Sequence, residues 1–221
     1  MKAFCLEMSN SKNLILAFKN DDSEYFVELK TQIYKSEIVW DLIKEGFERI
    51  NLAPSDLDFI GTGLGPGSFT GLRVGLSIVK GIALSLNIPV VGVSSFDLLA
   101  KGVFFNGKLC IIFDAKKGLF YTAIYARDFK LRKVLKESLK TLDDLKKILE
   151  PGIFILGDGI KLLDKKFIKR FKVLEEDFSY VNPRVLLNEC INRFKKKRFL
   201  KLERLKPLYL HPLECQAAKA F

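Results

Sequence analysis

A chain of 221 residues with 48% apolar residues can bury one large core or two smaller ones, which excludes a disordered protein. Lys80 interrupts the longest apolar stretch and the first ten residues alternate like a strand, which predicts a cytoplasmic protein without a membrane span or signal peptide. Charge is uneven, because residues 1–107 hold 10 Lys and Arg against 12 Asp and Glu, whereas residues 108–221 hold 27 against 14. A basic second half indicates a nucleic-acid or acidic partner, or else a solvated surface.

The first half of the chain predicts strands and helices in the order of a ribonuclease-H-like lobe. Three segments rich in β-branched and aromatic residues, separated by polar turns, predict an antiparallel meander. Helices and strands then alternate. The predicted elements are strands 2–6, 13–18 and 25–34, helix 36–50, strand 57–63, helix 71–87, strand 89–93 and a short helix ending at residue 100.

Both long helices of this lobe have apolar faces wider than one core requires. In the helix 36–50, apolar residues cover about twice the arc that faces a single core, so we expect a second buried face against another lobe or chain. The helix 71–87 is apolar almost all round. Its Ser77, Gly81 and Ser85 recur every four residues and would let a neighbouring helix approach closely, and Gly46 is a matching small residue.

The turn before the second long helix is crowded with glycine. Gly65, Gly67 and Ser68 form a candidate anion-binding turn, because backbone amides at a helix N-terminus point the same way as the positive dipole end. The Gly-Lys-Ser/Thr of a Walker loop is missing, and Pro66 stands where the dinucleotide fingerprint needs its third glycine. The pattern therefore favours a structural, partner-docking turn, with phosphate binding as the alternative.

From residue 108 a related series of elements begins again. The predicted elements are strands 109–113, 120–125 and a weak 134–136, helix 141–149, strand 153–156, and helices 160–171 and 183–196. We therefore predict an α/β protein of two lobes, residues 1–104 and a shorter, basic lobe of residues 105–221.

The sequence predicts neither a catalytic centre nor a metal site. The single histidine, His211, lies far from any nucleophile motif. Glu7, Asp114 and Asp158 follow strands, where carboxylates can hold a metal or nucleotide but more often cap a turn. The cysteines lack a C-x-x-C pair or nearby histidines and are expected to be reduced, buried thiols: Cys5, Cys110, Cys190 and Cys215.

A basic run ends the last predicted helix. It consists of Lys195, Lys196, Lys197 and Arg198, and further cations follow up to residue 206. Such a run is a candidate RNA-facing surface, because several cations together release counterions from a phosphate backbone without reading bases. The alternative is a helix end whose cations simply favour the dipole.

The glycine-rich segment resembles the bacterial TsaB (YeaZ) family. The resemblance lies in Gly65 to Gly75, in Lys80-Gly81 and in Ile88 to Ser95, and this motif is specific. Weaker matches follow in chain order: Asp114 to Gly118 with Tyr121, Gly157 to Gly159, and Pro207 to Leu210. The matches extend over most of the chain.

The resemblance implies an actin-like ATPase fold, shared with sugar kinases and Hsp70, of two ribonuclease-H-like lobes, with the last segment packing back on the first. It implies a non-catalytic relative of the TsaD transferase that binds TsaD and, with the TsaE ATPase, supports threonylcarbamoylation of the adenosine next to the tRNA anticodon. No cofactor is expected, except a nucleotide at a partner interface, and tRNA would be reached indirectly or through the basic lobe. The two first-lobe helices would contact TsaD, or a second copy when the chain is alone, through Val39, Trp40, Ile43, Gly46, Phe47, Arg73, Ser77, Gly81 and Ser85.

Some residues depart from the family pattern. Glu7 stands in the first phosphate loop, where family members commonly have Asp followed by Thr or Ser, and Lys35 replaces a common histidine. The first long helix lacks the His-x-x-x-His metal pair of TsaD-type relatives, and Lys116 replaces an arginine and so loses its bidentate fork. Each departure weakens the alternative function, an actin-like ATPase or peptidase with its own phosphate or metal site.

Overall fold

The structure is a computed structural model that describes residues 1–30 and 35–210. Two compact units divide it, the first built from Met1–Leu98 and Val181–Leu208, and the second mainly from Leu99–Tyr180. The prediction placed all of residues 105–221 in the second lobe, whereas Val181–Leu208 belongs to the first unit. The difference arises because this late segment of the chain completes the core of the first unit.

The first unit begins with a sheet and two long helices. The strands β1, β2, β4 and β5 are buried, whereas β3 is partly exposed at one edge. The elements are β1 (Lys2–Glu7), β2 (Asn13–Asn20), β3 (Ser23–Lys30), α1 (Lys35–Arg49), β4 (Phe59–Gly63), α2 (Phe69–Leu86), β5 (Val90–Val93) and the start of α3 (Ser95–Gly102), within which the division between the units falls.

The strand order of this sheet is β3-β2-β1-β4-β5. β1 pairs antiparallel with β2 and parallel with β4, so that Cys5 lies between Ala17 and Gly61. Alternate side chains of β1 point to opposite faces. Phe4 and Leu6 belong to the core that α1 and α2 cover, whereas Cys5 faces the other side.

The second unit repeats the same order. Its elements are β6 (Gly107–Asp114), β7 (Leu119–Arg127), β8 (Leu131–Thr141), α4 (Leu142–Ile148), β9 (Phe154–Leu156), α5 (Lys165–Ile168) and β10 (Lys172–Val173). The sheet runs β10-β9-β6-β7-β8, with β6, β7 and β8 antiparallel and β9 and β10 parallel to β6. Both sheets thus have the ribonuclease-H order 3-2-1-4-5, and the predicted actin-like fold of two such lobes is confirmed.

The second unit also differs from the prediction in one helix. The helix predicted over 160–171 is a 3₁₀ turn at Asp158–Leu162 followed by the one-turn α5. Leu163 is extended, with φ −90° and ψ 151°, and so ends the first turn. The Asp164 carboxylate then accepts hydrogen bonds from the amides of Lys166 and Phe167 and starts the second turn.

The chain then returns to the first unit through α6 (Pro183–Lys195). The Asn182 side chain caps this helix, and four buried residues cover the open face of the first sheet: Leu186, Leu187, Cys190 and Ile191. Cys190 packs beside Cys5 and Gly61, and Phe194 stacks on Phe59 at 4.4 Å between ring centroids. The segment from residue 181 therefore belongs to the first unit, because its apolar face completes that core. The basic run at the end of α6 lies in the first unit as well, not in the second lobe as predicted.

Candidate docking surface

A groove of 430 Å³ lies between α1, the turn at Pro54 and α2. Small and apolar residues form its walls: Trp40, Pro54, Ser77, Ile78, Gly81, Ile82, Ser85 and Leu86. It contains four of the nine residues predicted to contact a partner, namely Trp40, Ser77, Gly81 and Ser85.

The helix α2 divides its residues between a buried and an exposed face. The Ser68 side chain caps its first turn, and Asn87 ends it in the left-handed conformation with φ 52°. Leu72, Leu76, Val79 and Ala83 form the buried face on the sheet. The residues at every fourth position on the other side are exposed: Arg73, Ser77, Gly81 and Ser85.

The exposed face of α2 is open and partly apolar. A Cβ added to Gly81 would have no atom within 4 Å, and Leu84 beside it is 69% exposed. Arg73 continues the same face but is not part of the groove wall, and its guanidinium lies 3.8 Å from the centroid of the Phe69 ring. An apolar, small-residue helix face of this kind permits close approach by another helix.

The structure corrects four of the predicted interface residues. Val39, Ile43, Gly46 and Phe47 are buried on the inner face of α1. A Cβ on Gly46 would overlap the ring of Phe18, so this glycine serves the contact between helix and sheet. These four residues recur at helical spacing and form the face of α1 that packs on the first sheet. A partner can therefore contact only the residues on the other faces of α1. On α1, Trp40 is the predicted residue that is exposed, by 54%.

By length and composition α2 could also cross a membrane, contrary to the prediction from Lys80. Only 33% of α2 is buried. However, α2 connects β4 to β5, which are parallel neighbours in one sheet, and it packs on that sheet. The length and apolar composition of α2 are therefore those of a helix that lies on a sheet.

The glycine turn between β4 and α2 is held by hydrogen bonds from the protein itself. The Gly65 amide donates to Ser95 Oγ at 3.0 Å, and the Ser68 amide donates to the Ser9 carbonyl at 2.6 Å. A Cβ on Gly67 would overlap that same carbonyl, which explains the need for glycine there. Two of the three residues predicted to bind an anion thus direct their amides to protein acceptors.

The Glu7 carboxylate lies next to this turn and is buried. It accepts hydrogen bonds from Ser95 Oγ at 2.7 Å and from the Ser9 amide at 2.5 Å. A Cβ on Gly63 would overlap the carboxylate. Glu7 therefore joins the end of β1, the end of β4 and the start of α3, and it acts as a structural crosslink in this arrangement.

Two carboxylates meet at strand ends in the second unit. Asp158 Oδ1 accepts the Asp114 amide at 3.0 Å, and Asp114 accepts both the amide and the ammonium of Lys116, at 2.7 and 2.5 Å. Partial burial by itself would raise the pKa of Asp114, but the hydrogen bonds and charge of Lys116 hold it below its ordinary value. Within residues 1–30 and 35–210, no three His, Cys, Asp or Glu side chains are arranged to hold a metal, and His211 and Cys215 lie outside this part of the chain.

Comparison with known proteins identifies the family. The family model for TsaD, tRNA N6-adenosine threonylcarbamoyltransferase, matches residues 30–197. The tRNA threonylcarbamoyladenosine biosynthesis protein TsaB of Bacillus subtilis is 46% identical over 76 residues, which cover 34% of this chain and 33% of that protein. The TsaB protein of Buchnera aphidicola subsp. Schizaphis graminum is 24% identical over 193 residues, which cover 76% of this chain and 90% of that protein. This chain belongs to the TsaB (YeaZ) family.

A solved structure agrees with the TsaB assignment at the level of fold. YeaZ from Pseudomonas aeruginosa superposes with a TM-score of 0.78 and 19% identity, covering 95% of this chain and 99% of that one. The glycine turn and α2 lie within the range that the TsaD model matches. The curated TsaB relatives are thus named for tRNA threonylcarbamoyladenosine biosynthesis, and the YeaZ structure has the same fold as this chain.

Proposed function

We propose that this chain is a non-catalytic scaffold subunit that binds a TsaD-type transferase and so supports threonylcarbamoylation of the adenosine adjacent to the tRNA anticodon. The observation that carries the proposal is the open groove on α1 and α2 with Gly81 in its wall. A glycine in a helix interior destabilises the free helix by roughly 0.5–1 kcal/mol relative to alanine. Keeping it on an exposed face is consistent with a partner helix that must pack closely there.

The arrangement of Glu7 supports the non-catalytic part of the proposal. In this chain the strand-end carboxylate is buried and bonded to Ser95 and Ser9, and the neighbouring amides of Gly65 and Ser68 are also engaged. A site that handles phosphate needs such groups to face the ligand. Here they hold the protein together, so the chemistry is assigned to the transferase and to a TsaE-type ATPase, acting in the cytoplasm. Without the transferase, the groove is available to a second copy of the chain.

The fluorescence of the single tryptophan tests the docking. Trp40 lies in the groove wall and is half exposed, so burial by a TsaD-type transferase should move its emission to shorter wavelength, and the two proteins should co-elute. Gly81→Arg should abolish both signals without unfolding the chain, because the site has open space. Ser11→Arg is the control, since it adds the same side chain at an exposed turn outside the groove. Full binding by Gly81→Arg would refute this docking surface.

A further inference from the structure

The segment from Lys195 to Lys206 concentrates positive charge on the first unit. Seven cations occur in these twelve residues with a single carboxylate, Glu203: Lys195, Lys196, Lys197, Arg198, Lys201, Arg204 and Lys206. Among the described residues, none of the seven forms an ion pair with a carboxylate, whereas Arg193 just before them pairs with Glu189. Within residues 1–30 and 35–210, the charge of the basic segment is therefore not paired with a carboxylate.

The basic segment is held in a fixed conformation. At the end of α6, the Arg198 amide donates to the Arg193 carbonyl and the Lys197 amide donates to the Phe194 carbonyl, which together form a Schellman motif. The Leu200 amide then donates to the Val90 carbonyl at 2.8 Å, which covers the outer edge of β5. Backbone hydrogen bonds thus fix the conformation of the segment that carries these charges.

Lys197 has an unfavourable backbone conformation for a lysine. It has φ 52° at the position after the helix C-cap, where glycine is the usual residue because it has no Cβ. Cations near a helix C-terminus also favour the dipole, but Lys195 and Lys196 already supply that charge. A glycine at this position would relax the backbone, so the dipole alone does not account for a lysine here.

An aromatic residue lies within the basic segment. Phe199 is 44% exposed, and its ring lies 5.6 Å from Phe194, which itself stacks on the buried Phe59. The three rings form a series that leads from the core to the surface. An exposed ring beside lysines and arginines is the arrangement that binds unpaired RNA, in which phosphates meet cations and a base stacks on the ring.

We propose that the basic segment 195–206 is an RNA-binding surface that contacts the phosphate backbone through its cations and one unpaired base through Phe199. The chain belongs to a family named for tRNA modification, so tRNA is the RNA that this surface would meet. The inference does not depend on the docking proposal, because no residue of the basic segment lines the groove between α1 and α2. RNA binding can therefore be measured on the isolated full chain.

A glycine substitution separates a binding role from a helix-capping role. Lys197→Gly should raise Tm by about 2–4 °C, because the strained residue is relieved. It should also weaken binding of an unmodified tRNA transcript about fivefold at physiological salt, the counterion-release value for one phosphate contact. Lys117→Gly is the matched control, since Lys117 is exposed with φ 54° and lies outside the basic segment. Lys117→Gly should leave the affinity for tRNA unchanged. The proposal would be overturned if both variants lost the same affinity for tRNA, or if neither variant lost any.

Two further measurements test the chemistry of the partner. The logarithm of the association constant for tRNA falls linearly with the logarithm of the salt concentration. Replacing Lys195, Lys196, Lys197 and Arg198 by alanine should make this slope less steep by about 3. Phe199→Leu should reduce affinity about tenfold or more without changing that slope, because stacking does not involve counterions. Vesicles of anionic phospholipid should compete poorly with the transcript. An unchanged slope, or binding to vesicles as strong as to tRNA, would refute an RNA surface.

Discussion

Two glycines on the paired helices should respond in opposite ways to the same substitution. Gly81 faces open space, so Gly81→Ala adds a methyl group that meets nothing and gains about 1 kcal/mol of helix propensity. Gly46→Ala gains the same propensity, but its Cβ overlaps the ring of Phe18. That ring cannot move freely, since it is fully buried and packs on Phe4 at 4.9 Å and Phe47 at 5.2 Å between centroids.

The magnitudes decide the sign of each effect. Overpacking a buried ring typically destabilises by about 1–3 kcal/mol, which exceeds the propensity gain, so Gly46→Ala should lower the free energy of unfolding. Gly81→Ala should raise it by about 1 kcal/mol, or about 2–4 °C in Tm for a chain of this length. Urea unfolding followed by far-UV circular dichroism, at concentrations where size measurement shows a monomer, measures both values.

The same Gly81→Ala variant should bind a TsaD-type transferase less tightly than the original chain. A methyl group that is harmless on the free surface would overpack a close helix contact by about 1–3 kcal/mol. Higher stability with weaker docking is therefore the expected signature. A lower stability of the Gly81→Ala monomer would show that this face of α2 is not open. An unchanged affinity for the transferase would show that no partner helix packs closely on it.

Three other predictions follow from single contacts. Ser95→Ala should lower the free energy of unfolding by about 2 kcal/mol, as urea unfolding would measure. The substitution removes the buried hydrogen bond from Ser95 Oγ to Glu7 and the one that Ser95 Oγ accepts from the Gly65 amide. The folded chain lowers the pKa of Asp114 below its ordinary value of 3.8, so ionised Asp114 stabilises the fold above pH 3.8. This stabilisation is lost as the pH falls from 3.8 through the lowered pKa. Lys116→Met should therefore reduce the fall of Tm over this acid range. Cys110 is fully buried, which also raises the pKa of its thiol, so a thiol reagent should label Cys110 only at the rate of unfolding. Rapid labelling of Cys110 itself in the native chain would contradict this packing.

Much of the fold follows from the local pattern of the sequence. The helix predicted over 36–50 is found at Lys35–Arg49, and that predicted over 71–87 is found at Phe69–Leu86, because the apolar periods of both are strong and Ser68 caps the second. The predicted repeat of one strand order in both lobes is also found. In contrast, the weak strand predicted near 134–136 is the eleven-residue edge strand β8, whose mixed polar sequence hides its length.

The sequence could not separate the two apolar faces of α1. Periodicity shows that Val39, Trp40, Ile43 and Phe47 lie within one wide arc, but not which of them meet the sheet. The contact with Phe18 decides this, and Phe18 is distant in the chain. Long-range packing therefore sets the composition of the groove.

The domain boundary was also beyond local patterns. Between residues 181 and 208 there are nine Lys and Arg against two Asp and Glu, so composition groups this segment with the basic second half. The contact of Cys190 with Cys5 and Gly61 places it in the first unit instead. In the local pattern of the sequence, small residues in the middle of β1 and β4 are the trace of that contact, and the family resemblance implies a return of the last segment.

The return of α6 has a consequence for the order in which the chain folds as it leaves the ribosome. The second unit is nearly continuous between residues 99 and 180 and can close its sheet as soon as those residues emerge. The first sheet is synthesised earlier, yet the face carrying Cys5, Ile15 and Phe59 stays uncovered until Phe194 is available. The lobe that is made first is thus finished last. A nascent chain stopped before α6 exposes a bare apolar sheet face, which is the form that chaperones bind.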